Sequence, residues 1–227
     1  MKESILADAL VCLKDFRAEV PGYRNEAFRD EVIQALEEAL RTTNNKKNGK
    51  SGLEAAAKYI LKNAKKGKNP ALQGAWIGPN GKQYVCDGIM LVEIDDPIEL
   101  EPLSDDVTRF NTEAVMSVKA EADMIVELPP LDHLTERITE EKVRAKAERM
   151  KRYKMVYCLG YGLSVDADNL QIAMKATGAT HLRTRGRTNG KGSIIDACFL
   201  EGNGCTILLL PRVWPERNAG DCSCVRA

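Results

Sequence analysis

Residues 166–210 read DADNLQIAMKATGATHLRTRGRTNGKGSIIDACFLEGNGCTILLL, and their reading decides the fold. Asp166 is a cap-forming residue ahead of Leu170, Ala173, Met174 and Thr177, which share one helical face. Gly178 follows where a helix needs a left-handed end. The chain then changes to strand chemistry over 180–185, 193–200 and 205–210, punctuated by turns at 186–192 and 202–204. The prediction is one short amphipathic helix followed at once by three strands.

The same order occurs upstream, over 53–94. Leu53, Ala56, Ala57, Ile60, Leu61 and Ala64 form one helical face, with Glu54, Lys58, Lys62 and Lys65 on the other. Strand-like runs follow over 72–77, 82–86 and 89–94, joined by Gly78-Pro79-Asn80-Gly81 and by Asp87-Gly88. Turns this short permit no crossover, so the strands are predicted to be antiparallel neighbours. Two like units must bury their apolar faces against each other, which points to a duplicated β-α-β-β-β domain of the α+β class.

Outside the two copies the signals are less regular. A strand over 153–159 opens the second unit, and 124–128 is another strand candidate before Pro129-Pro130. The charged stretch 135–152, with Arg137/Glu141 and Glu140/Arg144 at ion-pair spacing, reads as an inserted and mostly solvated helix. Asp95-Asp96-Pro97 and Glu101-Pro102 break the chain, and 110–118 is apolar without a clear period. The N-terminal region, 1–42, repeats helical spacing on both sides of Pro21-Gly22 and predicts a helical hairpin. A polar linker, 43–52, separates it from the main domain, 53–213, and a polar tail, 214–227, is expected to fray.

The chain of 227 residues is 44% hydrophobic and 29% charged, the composition of a globular domain. Its 33 basic residues balance 33 acidic ones, so nucleic-acid binding would need a local basic face, not a whole-molecule field. No apolar run is long enough to span a membrane, and the N-terminus carries acidic residues through its apolar stretch, unlike a signal peptide. Seven cysteines, an odd number scattered through apolar segments, suit reduced thiols and a cytoplasmic location.

Several of these residues resemble the DNA-clamp superfamily, whose bacterial sliding clamps use the same β-α-β-β-β unit twice per domain. Tyr84-Val85-Cys86-Asp87-Gly88 is similar to the segment after the clamp's second strand, and 207–213 is similar to its last strand, where an apolar run meets Pro211 and Arg212. The helix opening at Asp166 also resembles the clamp's second helix. The resemblance covers about residues 52–213. Departures stand beside it: Ile89 and Met90 follow Asp87-Gly88 where clamps carry a basic residue, the first unit has no obvious leading strand unless 124–128 supplies it, and the insertion at 135–152 and the helical N-terminus have no clamp counterpart. A complete ring joins several such domains, so the resemblance implies a clamp-like domain used for binding, as in DNA replication or in a phage or mobile element.

That resemblance gives meaning to a basic patch. Lys58, Lys62, Lys65, Lys66 and Lys68 lie on or just beyond the exposed side of the first helix, the side that in a clamp faces double-stranded DNA and touches phosphates without reading sequence. A solvated helix face with a basic last turn accounts for the same residues. Arg183, Arg185 and Arg187 alternate along a strand and would share a sheet face with anion-binding capacity, although an exposed outer face shows the same alternation.

Other motifs carry less. Gly186 to Ser193 and Asn48-Gly49-Lys50-Ser51 each miss the spacing of a phosphate-binding loop. Only His133 and His181 are available as imidazole ligands, and Cys222-Ser223-Cys224 stands alone in the tail, so no metal or cofactor is expected. The carboxylate pairs Asp95-Asp96 and Asp105-Asp106 lack an accompanying base or nucleophile. The sequence therefore predicts a non-enzymatic binding protein, with duplex DNA or replication or phage proteins as partners and no membrane. The alternative is a protein-interaction adaptor that docks through the N-terminal hairpin and binds no nucleic acid.

Overall fold

The computed structural model describes residues 32–33, 52–151, 153–189, 192–212 and 220–226, without the side chains of 187–189, 192–195 and 224–226. The chain divides into two units, Met1–Asn48 and Gly49–Ala227, and all the described strands lie in the second. The expected hairpin over 1–42 and the linker over 43–52 fall outside the described residues, save for helical Val32, Ile33 and Gly52.

The second unit is an α+β arrangement of helices and antiparallel sheets. A first helix, α1, spans residues 52–64. It leads into β1 (Trp76–Ile77), β2 (Gln83–Cys86) and β3 (Met90–Ile94). A long excursion with one short helix, α2 (Thr112–Ser117), reaches β4 (Met124–Glu127) and then helix α3 (Leu131–Ala147). The hairpin β5 (Tyr153–Gly160) and β6 (Leu163–Asp166) enters helix α4 (Ala167–Thr177). Then come β7 (His181–Asn189), β8 (Gly192–Gly202), β9 (Cys205–Leu209) and β10 (Cys222–Arg226).

The main sheet is seven-stranded, in the order β1-β2-β3-β9-β8-β7-β4. At its centre β3 pairs antiparallel with β9, Val92 opposite Ile207, so the three strands that follow α1 and the three that follow α4 flank one junction. Alternate residues explain why these strands read as unbroken apolar runs: both faces are covered. Val85, Val92, Ile94, Leu182, Leu200, Ile207 and Leu209 join the core that also holds Leu53, Ala57, Ile60, Leu170, Ala173 and Met174 of the two helices. Tyr84, Leu91, Phe199 and Leu208 face the other way, into a smaller core with Trp76, Leu103, Met116 and Ala122.

Helices α1 and α4 lie against each other in antiparallel sense. Gly52 meets the end of α4 so closely that a Cβ there would stand 2.3 Å from the Lys175 carbonyl oxygen. Further along α1, Tyr59 reaches Asn169 near the start of α4. Asp166 caps α4 by accepting from the Asn169 amide at 3.1 Å, and Gly178 ends it at φ 68°, as the residue types predict.

Several elements differ from the sequence reading, each for a local reason. The strand predicted over 72–77 shrinks to Trp76–Ile77, because Asn69 caps a 3-10 turn over Pro70–Leu72 that proline favours. The strand over 153–159 does not lead directly into α4. Gly160, Tyr161 and Gly162 all take positive φ, turning the chain back into β6, the strand that enters the helix.

The helix predicted over 135–152 begins at Leu131, and most of its residues are exposed, as expected, but one stripe is not. It buries Leu134, Ile138, Glu141 and Ala145, a stripe that packs near α4, β5 and β10. The strand at 124–128 pairs with β7, Met124 opposite Thr184, so it extends the second set of strands and not the first. Within the tail expected to fray, Cys222–Arg226 forms β10 against β5, with Cys222 opposite Tyr157 and buried. The sheet edge supplies the hydrogen-bond partners that the tail's own sequence does not advertise.

Candidate nucleic-acid interface

The apolar stripe of α1 is buried against the sheet, which turns Lys58 and Lys62 outward; Lys65, Lys66 and Lys68 continue past the helix end, and all five are exposed. Lys58 Nζ lies 3.9 Å from Glu54 Oε2, one helical turn away. Lys66 Nζ donates to Asn63 Oδ1 at 3.3 Å. Lys65 pairs with Glu101, a residue from the excursion after β3. A groove of about 400 Å³ separates the two segments, lined by Lys58, Leu61 and Lys62 from α1, by Lys65 just beyond it, and by Glu99, Leu100 and Glu101.

The companion helix offers less charge. On α4 Lys175 is exposed, while Asp168 is held by Lys142 of α3, whose Nζ donates at 2.6 Å. Gln171 Nε2 donates to Thr135 Oγ1 at 2.7 Å, so α3 flanks α4 on the side away from α1's lysines. The basic character of this helical layer therefore comes mainly from α1.

The arginines of β7 are placed elsewhere. Leu182 belongs to the helix-side core, and the next residue in the strand, Arg183, reaches the opposite face, where its Nε and Nη2 donate to Ala122 O at 3.0 and 2.7 Å. Arg185 grips Asp196 with Nε and Nη2 at 2.9 and 2.8 Å and donates from Nη1 to Glu121 at 2.9 Å. Pairing jumps from Arg185↔Ala197 to Gly186↔Ile195, leaving Asp196 as the bulged residue that meets this guanidinium. The hydrogen bonds that Arg185 donates to Asp196, then the one to Glu121, hold its pKa above the ordinary value.

Arg183 and Arg185 thus fasten the 3-10 turn Val118–Glu121 to the sheet, and their donors serve the protein's own acceptors. They do not join the α1 lysines on one surface. The Arg187 side chain lies outside the described ones.

One further polar cluster is also internally satisfied. Glu93, buried on the outer sheet face, accepts from Tyr84 Oη and from Lys82 Nζ, each at 2.8 Å. Lys82 also pairs with Asp95 at 2.8 Å, and the bonds to Asp95 and Glu93 raise its pKa. Asp95, half of a carboxylate pair in the sequence, is therefore part of an ion-pair cluster. Burial pushes the thiol of Cys86 up to about 11 and those of Cys198 and Cys205 up to about 12, far from the depressed values of a nucleophilic thiolate.

Among the described residues no group of His, Cys, Asp and Glu is arranged to hold a metal ion, and no helix is long and apolar enough to cross a membrane. Sequence reasoning missed Glu99 and Glu101 as neighbours of the lysines. The signal was the acidic, proline-broken stretch after β3, whose course only tertiary contacts define. No protein-family model, curated protein or solved structure matches this chain.

Proposed function

We propose that residues 53–213 form a clamp-like duplicated domain that binds without catalysing a reaction and makes loose, sequence-independent contacts with the phosphates of double-stranded DNA through α1. The observation that carries this reading is the arrangement about the β3–β9 pair. Each flanking set has a helix followed by three antiparallel strands, and the two helices lie antiparallel in one layer over one face of the sheet. An approximate twofold relation of this kind is what duplication of one helix-plus-three-strand unit would produce, although no strand is described ahead of α1 and the strand ahead of α4 lies in the smaller sheet. It turns one face of a helix pair outward, and on α1 that face carries exposed lysines. Exposed ammonium groups on long, flexible stems suit phosphate contacts that fix no register. DNA replication, or DNA transactions of a phage or mobile element, is the process this reading fits.

Fluorescence anisotropy with a labelled duplex of random sequence tests it across a salt series. Neutralising about three phosphates predicts a log–log salt slope near ~−3. Changing Lys58, Lys62 and Lys65 to Glu should abolish binding while leaving the circular dichroism spectrum unchanged. Absent binding at low salt, or affinity indifferent to salt, overturns the reading.

A further inference from the structure

The segment after β3 lies along the lysines as a fixed chain of its own. Gln83 holds it at one end, its Nε2 donating to Ile98 O and its Oε1 accepting from Ile98 N, both at 3.0 Å. At the other end Ala75 N donates to Glu101 O at 2.8 Å and Leu103 N donates to Ala75 O at 2.7 Å. Gly74 lets Leu103 approach: a Cβ at Gly74 would stand 2.4 Å from the Leu103 backbone. Ile98 and Leu100 pack against the helix-side core. Between these anchors Glu99 and Glu101 are exposed and line the groove beside Lys58, Lys62 and Lys65, with Glu101 already paired to Lys65.

We infer that this strap, residues 97–103, is a built-in competitor for the anion site on α1: its two carboxylates take the places that two phosphates of a bound nucleic-acid strand would take. The inference rests on the DNA reading above and adds its regulation. Hydrogen bonds to its backbone and the packing of Ile98, Leu100 and Leu103 anchor the strap, so it does not swing clear as a lid does. The side chains of Glu99 and Glu101 give way instead, and a polyanion must displace them before it reaches Lys65. The strap therefore lowers intrinsic affinity and makes contact readily reversible, which suits a protein that must not stall on a duplex.

The test compares the full chain with the double variant Glu99→Gln, Glu101→Gln and with Glu136→Gln, Glu140→Gln, which makes the same change in net charge on exposed positions of α3. Duplex binding is followed by anisotropy over a salt series. Each exposed carboxylate removed from competition is worth a small factor, so the strap variant should bind about three- to tenfold more tightly. Its salt slope should steepen by about one to two, as more phosphates gain lysine partners. The α3 variant should stay within about twofold of the parent protein. Adding Lys58→Glu, Lys62→Glu and Lys65→Glu to the strap variant should remove the gain.

Equal affinities for parent and strap variant, with the parent binding in a salt-dependent way, overturn the strap inference and leave the DNA reading standing. Equal gains from the strap and α3 variants also overturn it, because they assign the effect to net charge. Absence of binding by both the parent and the strap variant overturns both readings together.

Discussion

The Tyr59 hydroxyl donates to Asn169 Oδ1 at 3.2 Å, joining α1 to α4 across 110 residues of sequence. Asn169 is almost fully buried and sits in the first turn of α4, whose cap is Asp166. One hydrogen bond therefore ties the two helices that cover the inner sheet face, at the end of α4 opposite the Gly52–Lys175 contact.

Removing that hydroxyl leaves a buried amide oxygen without this donor. Tyr59→Phe should cost about 1–2 kcal/mol of unfolding free energy, read from urea denaturation, with little change in the slope of the transition. Asn169→Ala together with Tyr59→Phe should cost less than the sum of the two single changes, since both remove the same bond.

Arg185 is a separate latch on the opposite sheet face. Its side chain is 8% exposed and its carboxylate partner Asp196 is 23% exposed, so Arg185→Ala strands a partly buried charge. A loss of about 3 kcal/mol is expected, with Arg185→Lys losing less but still failing to reproduce the two-pronged contact. Duplex affinity should be unchanged in Arg185→Lys under conditions where the protein remains folded, which separates this residue from the lysines of α1.

The thiols and phenols held wholly or partly out of water predict a loss of stability at alkaline pH. Burial raises Cys86, Cys198 and Cys205 from an ordinary value of 9.0 to about 11, 12 and 12, and it raises Tyr59, Tyr84 and Tyr157 above 10.0. The folded chain keeps protons that the unfolded chain releases, so this contribution is complete below the unfolded thiol value and is lost as pH rises through the folded ones. Thermal melts should show a steady fall in Tm from about pH 9 to about pH 12, and Cys198→Ala should flatten that fall.

The tail is predicted to be structural. Chains ending after Arg212 would lack β10 and expose the edge of β5 where Cys222–Arg226 pairs. They should melt at least several degrees lower than the full chain and show faster amide exchange through 153–157. Undiminished Tm and exchange protection would mean that this pairing adds nothing to stability.

Legibility followed the range of the interactions. The helix that Asp166 opens and Gly178 closes could be read because capping is local chemistry, and the strands around Asp87-Gly88 and 202–204 could be read because glycine turns are local too. The lysines could be placed on the outer side of α1 because a 3.6-residue period fixes which residues oppose a buried stripe. The burial of α3 was hidden by its charge: Glu141 sits in the buried stripe, so the apolar signal was thin.

By itself the sequence determined the α+β class, most of the elements and the basic face of the first helix, since those depend on neighbours a few residues apart. Only the tertiary structure decided that β3 meets β9, that β10 joins β5, that Arg183 and Arg185 turn to the face opposite the lysines, and that Glu101 pairs with Lys65. Each of those contacts joins segments distant in sequence or depends on which sheet face is covered, and no local periodicity records the outcome.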